Sequence, residues 1–274
     1  MKAVRLAKDA LKEAFPAIWL EWHFLRRPRS AEVELGYLDR IVPKGAVTVD
    51  VGANLGLYTR QLARCSRKVH AFEPAKQMAD LLRRTAAVNV ELHEIALSDH
   101  DGVATLSVPL DGGRAVHSLA SIEQRGEDGA STTEQVRTAR LDSIMREPVA
   151  FIKIDVEGHE LRVLNGAVGV LEQSRPIFLV EAEERHRAGT TASVFKFFAD
   201  HAYDGFFVLD GEIKPVSEFD PRTMQDAESL RADGGRKQGR CYVNNFFFFP
   251  DRMDGRRALG GGGKSAPRSW DRRR

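Results

Sequence analysis

Two clusters of acids and glycines carry the residue types in this chain that could do chemistry. The first is V-T-V-D-V-G-A-N-L-G-L-Y (Val47–Tyr58), with Asp50, Gly52, Asn54 and Gly56, followed by Glu73 and Pro74. A glycine turn between a strand and a helix presents backbone N–H groups and a helix N-terminus to a ligand. An acid about 20 residues further on, here Glu73, suits the hydroxyls of a ribose. The second cluster is Asp155, Glu157, His159 and Glu160, in F-I-K-I-D-V-E-G-H-E (Phe151–Glu160). Together they describe a nucleoside site with a group of acids beside it.

The spacing narrows the nucleoside. A dinucleotide fingerprint, G-x-G-x-x-G, keeps its second glycine so that the backbone can approach a pyrophosphate. Here Asn54 stands where that room is needed, and Asp50 adds negative charge. Both features suit a ligand with an ammonium group and no phosphate, such as S-adenosylmethionine. Displacement at a sulfonium carbon needs an aligned acceptor and, for a hydroxyl, a base. His159 stands at a helix start, where the dipole disfavours the imidazolium and leaves a ring able to accept a proton. Asp155 would orient that ring or contact the methionine portion of the cofactor, and Glu157 would hold an acceptor hydroxyl. Glu157 and Glu160 equally suit the first turn of a helix for capping and dipole reasons. A divalent cation on Asp155 and Glu157 is a further option, since hard cations favour carboxylates. No other spaced carboxylate joins them, and no metal is expected.

These residues need a scaffold. Apolar, β-branched runs predict strands over 47–51, 68–73, 90–95, 149–156, 176–181, 205–209 and 245–249, with helical patterns over 57–65, 74–88, 161–172 and 194–201. Strands alternating with helices mean a parallel sheet with right-handed crossovers. The rhythm breaks at Gly102–Arg140. Val103–Val108 and Val136–Leu141 alternate like a strand pair, while Asp111–Thr133 is polar and emerges near the ligand edge as a lid. The chain divides into a helical extension (1–42), a catalytic domain (43–250) and a basic tail (251–274) expected to be disordered. Pro16 bends or restarts the first helix. Trp19, Trp22 and Phe24 beside Arg26 and Arg27 have the pattern of a membrane-surface helix, but covering the domain or a partner subunit is the stronger reading.

The 274 residues, 29% charged and 42% hydrophobic, carry a net charge of only +2, so no nucleic-acid partner is expected. Two distant cysteines, Cys65 and Cys241, make neither a disulfide framework nor a zinc site. No apolar run approaches the roughly 18 residues of a membrane span, and Asp9, Lys12 and Glu13 interrupt any signal-peptide core. A cytoplasmic location is the expectation, and the apolar N-terminal helices leave room for a homodimer.

The motifs V-D-V-G-A-N-L-G-L-Y-T, A-F-E-P, I-A-L-S-D, R-L-D-S-I and F-I-K-I-D-V-E-G-H-E, with N-G-A at Asn165–Ala167 and Glu181, resemble the FkbM family of S-adenosylmethionine-dependent methyltransferases. The resemblance covers residues 45–185. It implies an α/β class I methyltransferase fold: a Rossmann-like, seven-stranded, mostly parallel sheet with helices on both faces. It also implies S-adenosyl-L-methionine contacts near Asp50, Gly52, Asn54, Gly56, Glu73 and the turn at Ala96. The activity it implies is O-methylation of a hydroxyl on a sugar, glycan or secondary metabolite. An NAD(P)-dependent oxidoreductase and a non-catalytic binding protein on the same fold are the alternatives.

Overall fold

The computed structural model describes residues 13–25, 32–111, 114–116, 120–122, 130–230, 237 and 239–260. Its strands are β1 (Val47–Val51), β2 (Lys68–Phe72), β3 (Val90–His93), β4 (Ala96–Leu97), β5 (Gly102–Asp111), β6 (Arg114–Ala115), β7 (Ser131–Ala139), β8 (Phe151–Ile154), β9 (Ile177–Glu181), β10 (Tyr203–Leu209), β11 (Glu212–Pro215) and β12 (Asn245–Pro250). Eight of them form the main sheet in the order β11-β10-β12-β9-β8-β1-β2-β3. The run from β3 to β9 is parallel, and β12 lies antiparallel between β9 and β10. Seven strands were expected. The eighth, β11, pairs with β10 across Asp210-Gly211, whose φ values of 50° and 82° suit a tight two-residue hairpin.

Every residue of β1 is buried, as a central parallel strand with both faces covered requires. Alternate side chains feed two cores. Val49, Ile152, Phe178 and Phe248 pack against the helices after β8 and β9. Phe151, Leu179, Phe247 and Phe249 pack against Tyr37, Leu38 and Leu62 on the opposite face. Phe246–Phe249, expected inside the sheet, is at most 1% exposed.

A second sheet, β4-β7-β5-β6, holds the long β5–β7 hairpin. The strand expected over 90–95 stops at His93, and Ala96–Leu97, expected to be a turn, is instead a short strand that pairs with β7. The strand expected through Leu141 stops at Ala139, and a short helix begins at Leu141.

Both ends of the described chain pack onto the domain. Helix Pro16–Leu25 lies against helix Lys76–Thr85. Phe15, Ile18 and Leu25 nevertheless remain more than half exposed. The tail expected to be structureless from 251 is folded as far as residue 260. Asp254 caps the turn Gly255–Ala258. Leu259, 1% exposed, inserts beside Tyr37 and Leu38, and its carbonyl accepts from Arg40 Nη1 at 3.3 Å. Leu259, the buried Gly255 against Phe249 and Phe206, and the Asp251 N–H donated to the Ala202 carbonyl at 3.0 Å hold a segment whose composition shows no apolar period. Residues 1–12, 26–31 and 261–274, which include the expected first helical stretch and the arginine-rich end, lie outside the described residues. Among the described residues, no helix is long and apolar enough to cross a membrane.

Candidate active site

Strand β1 ends at the glycine turn, and backbone geometry explains its composition. Gly52 has φ +78°, and a Cβ there would meet the Asp155 carbonyl oxygen at 1.8 Å. Glycine is required because the end of β8 passes over it. The N–H groups of Gly52 and Ala53 both donate to the Phe72 carbonyl, tying the turn to the end of β2. Asn54 follows with φ 49°, in the left-handed region that asparagine tolerates. Gly56 then starts helix Leu57–Cys65.

Three carboxylates surround this turn. Asp50 is buried, and its Oδ2 accepts from Thr59 Oγ1. Burial pushes its carboxyl up to about 6, against the opposing pull of Thr59 and Lys153. Glu73 accepts from Asn54 N at 2.7 Å and from Ala75 N at 2.9 Å. Burial lifts it to about 7; those two backbone donors oppose the rise, and Asp50 and Asp155 add to it. Asp155, at the end of β8, is raised to about 6, chiefly by burial.

Among these acids lies a cation that the sequence analysis did not single out. Lys153 has no exposed side-chain surface. Its Nζ donates to Asn245 Oδ1 at 3.0 Å, lies 3.8 Å from Glu181 Oε2 and sits 4.9 Å from the centre of the Tyr58 ring. Burial disfavours its charge, but Asp155, Glu181, Glu32 and Asp50 more than offset this, so the ammonium is held. A lysine inside the apolar run F-I-K-I was the available signal.

The turn after β8 is equally constrained. Glu157 and Gly158 both have positive φ, 55° and 102°. Glu157 Oε2 lies 2.6 Å from His186 Nε2, and Glu183 Oε1 approaches the same nitrogen at 3.7 Å. Burial works against the His186 charge, yet Glu157 and Glu183 outweigh it and raise the group to about 9. Glu183 also receives Arg185 Nη2 at 2.9 Å and the Tyr242 hydroxyl. Burial opposes its ionisation, but His186, Arg185 and Tyr242 hold it well below the usual carboxylate range. Glu183, Arg185, His186 and Tyr242 carried no motif in the sequence. His159 is buried, with Nε2 3.0 Å from Ser98 Oγ. Ser98 Oγ also donates to Asp99 Oδ1 at 3.2 Å, so the contact ties the His159 ring to the turn that follows Leu97. Glu160 turns back to accept from Gly158 N at 2.8 Å and shapes the loop.

Asp50, Gly52, Asn54, Glu73, Ala96, Asp155, Glu157 and His159 all line one cleft of about 1530 Å³ at the carboxyl edge of the sheet. Gly56, expected beside them, does not. Its role is in the turn, where φ is +84° and a Cβ would meet Leu82 Cδ2 at 2.6 Å. The lining also includes Trp19 and Phe24 of the N-terminal helix, and Val116, Ala120 and Ser121. Ser121 Oγ donates to the Glu157 carbonyl at 2.9 Å. The described parts of the segment expected to be a lid therefore reach the cleft, while 112–113, 117–119 and 123–129 lie outside the described residues.

The mostly parallel sheet with its antiparallel β12, and the cleft at its carboxyl edge, define a class I methyltransferase-type fold. The model of the methyltransferase FkbM domain matches residues 50–204, more than half of the chain, and the chain belongs to that family. It is 28% identical to methyltransferase sdnD of Sordaria araneosa over 161 residues, 46% of this chain and 61% of that protein. Over 71 residues it is 41% identical to a probable ribosomal RNA small subunit methyltransferase A of Pyrobaculum aerophilum, covering 26% and 29% of the two chains. The crystal structure of an FkbM methyltransferase from Methylobacillus flagellatus aligns at 15% identity and a TM-score of 0.48, covering 75% of this chain and 44% of that one. The chain thus spans less than two thirds of the length of each relative.

Proposed function

We propose that this chain is an S-adenosylmethionine-dependent methyltransferase (EC 2.1.1 class) that methylates a hydroxyl of a sugar, glycan or secondary metabolite. The observation that carries this reading is the glycine turn ringed by the carboxylates Asp50, Glu73 and Asp155. Such a wall repels a pyrophosphate and suits a cationic nucleoside.

The residues present fit the cofactor. Gly52 and Asn54 bring the backbone of the turn to the wall of the cleft. Glu73, with one backbone donor on each oxygen, retains lone pairs for a ribose diol. Asp50 would face the amino-acid portion, and Ala96 would line the base. When bound, S-adenosylmethionine supplies an electrophilic methyl carbon. The chain must align the acceptor oxygen and take its proton. Asp155, raised to about 6, is ionised near neutral pH yet basic enough for that task. Glu157 is paired with His186 and would hold the hydroxyl in place. His159, fixed by Ser98, would support the same wall. Glu181, Asn244 and Arg185 add hydrogen-bonding groups that suit a polyhydroxylated acceptor.

Calorimetric titration tests the cofactor. S-adenosylmethionine should bind saturably, Asp50→Ala and Glu73→Ala should each abolish the heat, and NAD should give none. Equal binding by the variants, or preference for NAD, would refute the assignment. An Asp155→Asn variant should bind cofactor yet fail to transfer labelled methyl to any hydroxyl acceptor that the parent chain uses.

A further inference from the structure

At the opposite edge of the sheet from β11, strands β2 and β3 run parallel, with His70 opposite Glu91 and Phe72 opposite His93. Because side chains alternate, His70, Glu91 and His93 project from the same face. None of them lines the cleft. Their ligand atoms all lie within 4.8 Å of one another. His70 Nδ1 is 3.0 Å from His93 Nε2 and 3.9 Å from Glu91 Oε2, and His93 Nε2 is 3.7 Å from Glu91 Oε1. A tetrahedral ion holding nitrogen and oxygen donors at 2.0–2.1 Å spaces them about 3.3–3.4 Å apart. The His–His distance lies just below that value, and each histidine has one Glu91 oxygen just above it.

We propose that His70 Nδ1, His93 Nε2 and the Glu91 carboxylate form a binding site for a divalent first-row transition-metal ion of the zinc type. Two imidazoles and a carboxylate are the donor set such ions prefer, and the half-exposed Glu91 side leaves a fourth position to water. The surroundings supply the outer shell. A metal-bound histidine usually donates its other ring N–H to a carboxylate. His70 Nε2 is buried with no hydrogen-bond partner, and Glu147 Oε1 stands 3.6 Å from it. The His93 ring is fixed by stacking on Phe72, with centroids 4.5 Å apart. The competitor is Lys68, whose Nζ lies 2.7 Å from Glu91 Oε2. Its part-exposed chain also reaches toward Glu147, at 3.7 Å, and can shift there when the ion enters. The His93 carbonyl accepts the Glu73 N–H at 3.0 Å, so an occupied site braces the strand end that carries Glu73.

The test uses the full chain, stripped with chelator and titrated with Zn²⁺ against a chromophoric competitor. One ion per chain is expected. Glu91→Gln and His93→Gln should each remove that uptake, and Glu147→Gln should weaken it by the ~10–100-fold typical of an outer-shell partner. His100→Ala, at an exposed histidine elsewhere, should bind as the parent does. Zn²⁺ should also raise the melting temperature of the parent and leave that of Glu91→Gln unchanged, since only an ion held by the folded state stabilises it. Glu91 is exposed enough that Glu91→Gln folds, which circular dichroism verifies. No stoichiometric uptake by the parent, or equal uptake by Glu91→Gln and His93→Gln, overturns the proposal. Neither result bears on the cofactor assignment, which calorimetry with S-adenosylmethionine reads separately.

Discussion

The antiparallel half of the main sheet and the carboxyl edge of its parallel half are built on opposite terms. Around β12, Phe178, Phe198, Phe207 and Phe246–Phe249 are fully or almost fully buried. The rings of Phe198 and Phe248 stack with centroids 3.8 Å apart, and Phe178 meets Phe198 edge-on at 5.0 Å. That region gains dispersion and apolar burial with little polar cost. At the ends of β1, β2 and β8, Asp50, Glu73 and Lys153 are buried together, with the partly buried Asp155 beside them. Asn54 and Glu157, neither of them glycine, hold positive φ there. Strained backbone and desolvated charge persist only where the surrounding structure over-determines them. The aromatic half is that surrounding structure, and Lys153 joins the two through Asn245 of β12.

If this division is right, the two regions should respond differently to damage. The largest effect on stability should follow Phe248→Ala, which removes a fully buried ring and costs about 3–5 kcal/mol. Denaturant melts measure the cost, and the molecules that remain folded should keep the parent cofactor affinity. A joint loss of stability and affinity would show that the two regions are not separable. Gly52→Ala should do the reverse. Its backbone strain costs about 1–3 kcal/mol, but the clash with the Asp155 carbonyl should lower S-adenosylmethionine affinity at least ~10-fold, a change of about 1.4 kcal/mol in binding. Normal binding by this variant would move the cofactor away from the turn.

The smallest effect is a pH dependence at the Glu157–His186 pair behind the cleft wall. His186, ordinarily near 6.5, is raised to about 9 in the folded chain. Its contribution is therefore fully present below about 6.5 and is lost as pH rises through about 9. In urea melts at pH 6 and pH 9.5, the stability gap between the parent and His186→Gln should shrink at the higher pH. A gap independent of pH would mean that the Glu157–His186 pair carries no proton-linked stability.

Much of this was legible beforehand where the rule is local. The turn at Gly52–Gly56 and the acids at Asp155 and Glu157 follow strands whose pattern is short-range, and their family resemblance spans consecutive residues. The β10–β11 hairpin was missed because Glu212–Pro215 has little apolar character. The tail was misread because its anchors, Asp251, Gly255 and Leu259, are scattered residues with no apolar period. Lys153 was passed over as part of a strand, although its charge is what balances the acids around it.

The sequence by itself determined the alternating strands and helices of the parallel half, the glycine turn and the pairing of two acidic motifs with one sheet edge, because side-chain periodicity and turn chemistry act over a few residues. Only the tertiary structure decided which charges meet. Glu157 with His186, Glu183 with Tyr242, Lys153 with Asn245 and His70 with His93 are contacts between separate elements. Their existence depends on strand register and on the angle at which loops return, and neither is written in the spacing along one segment.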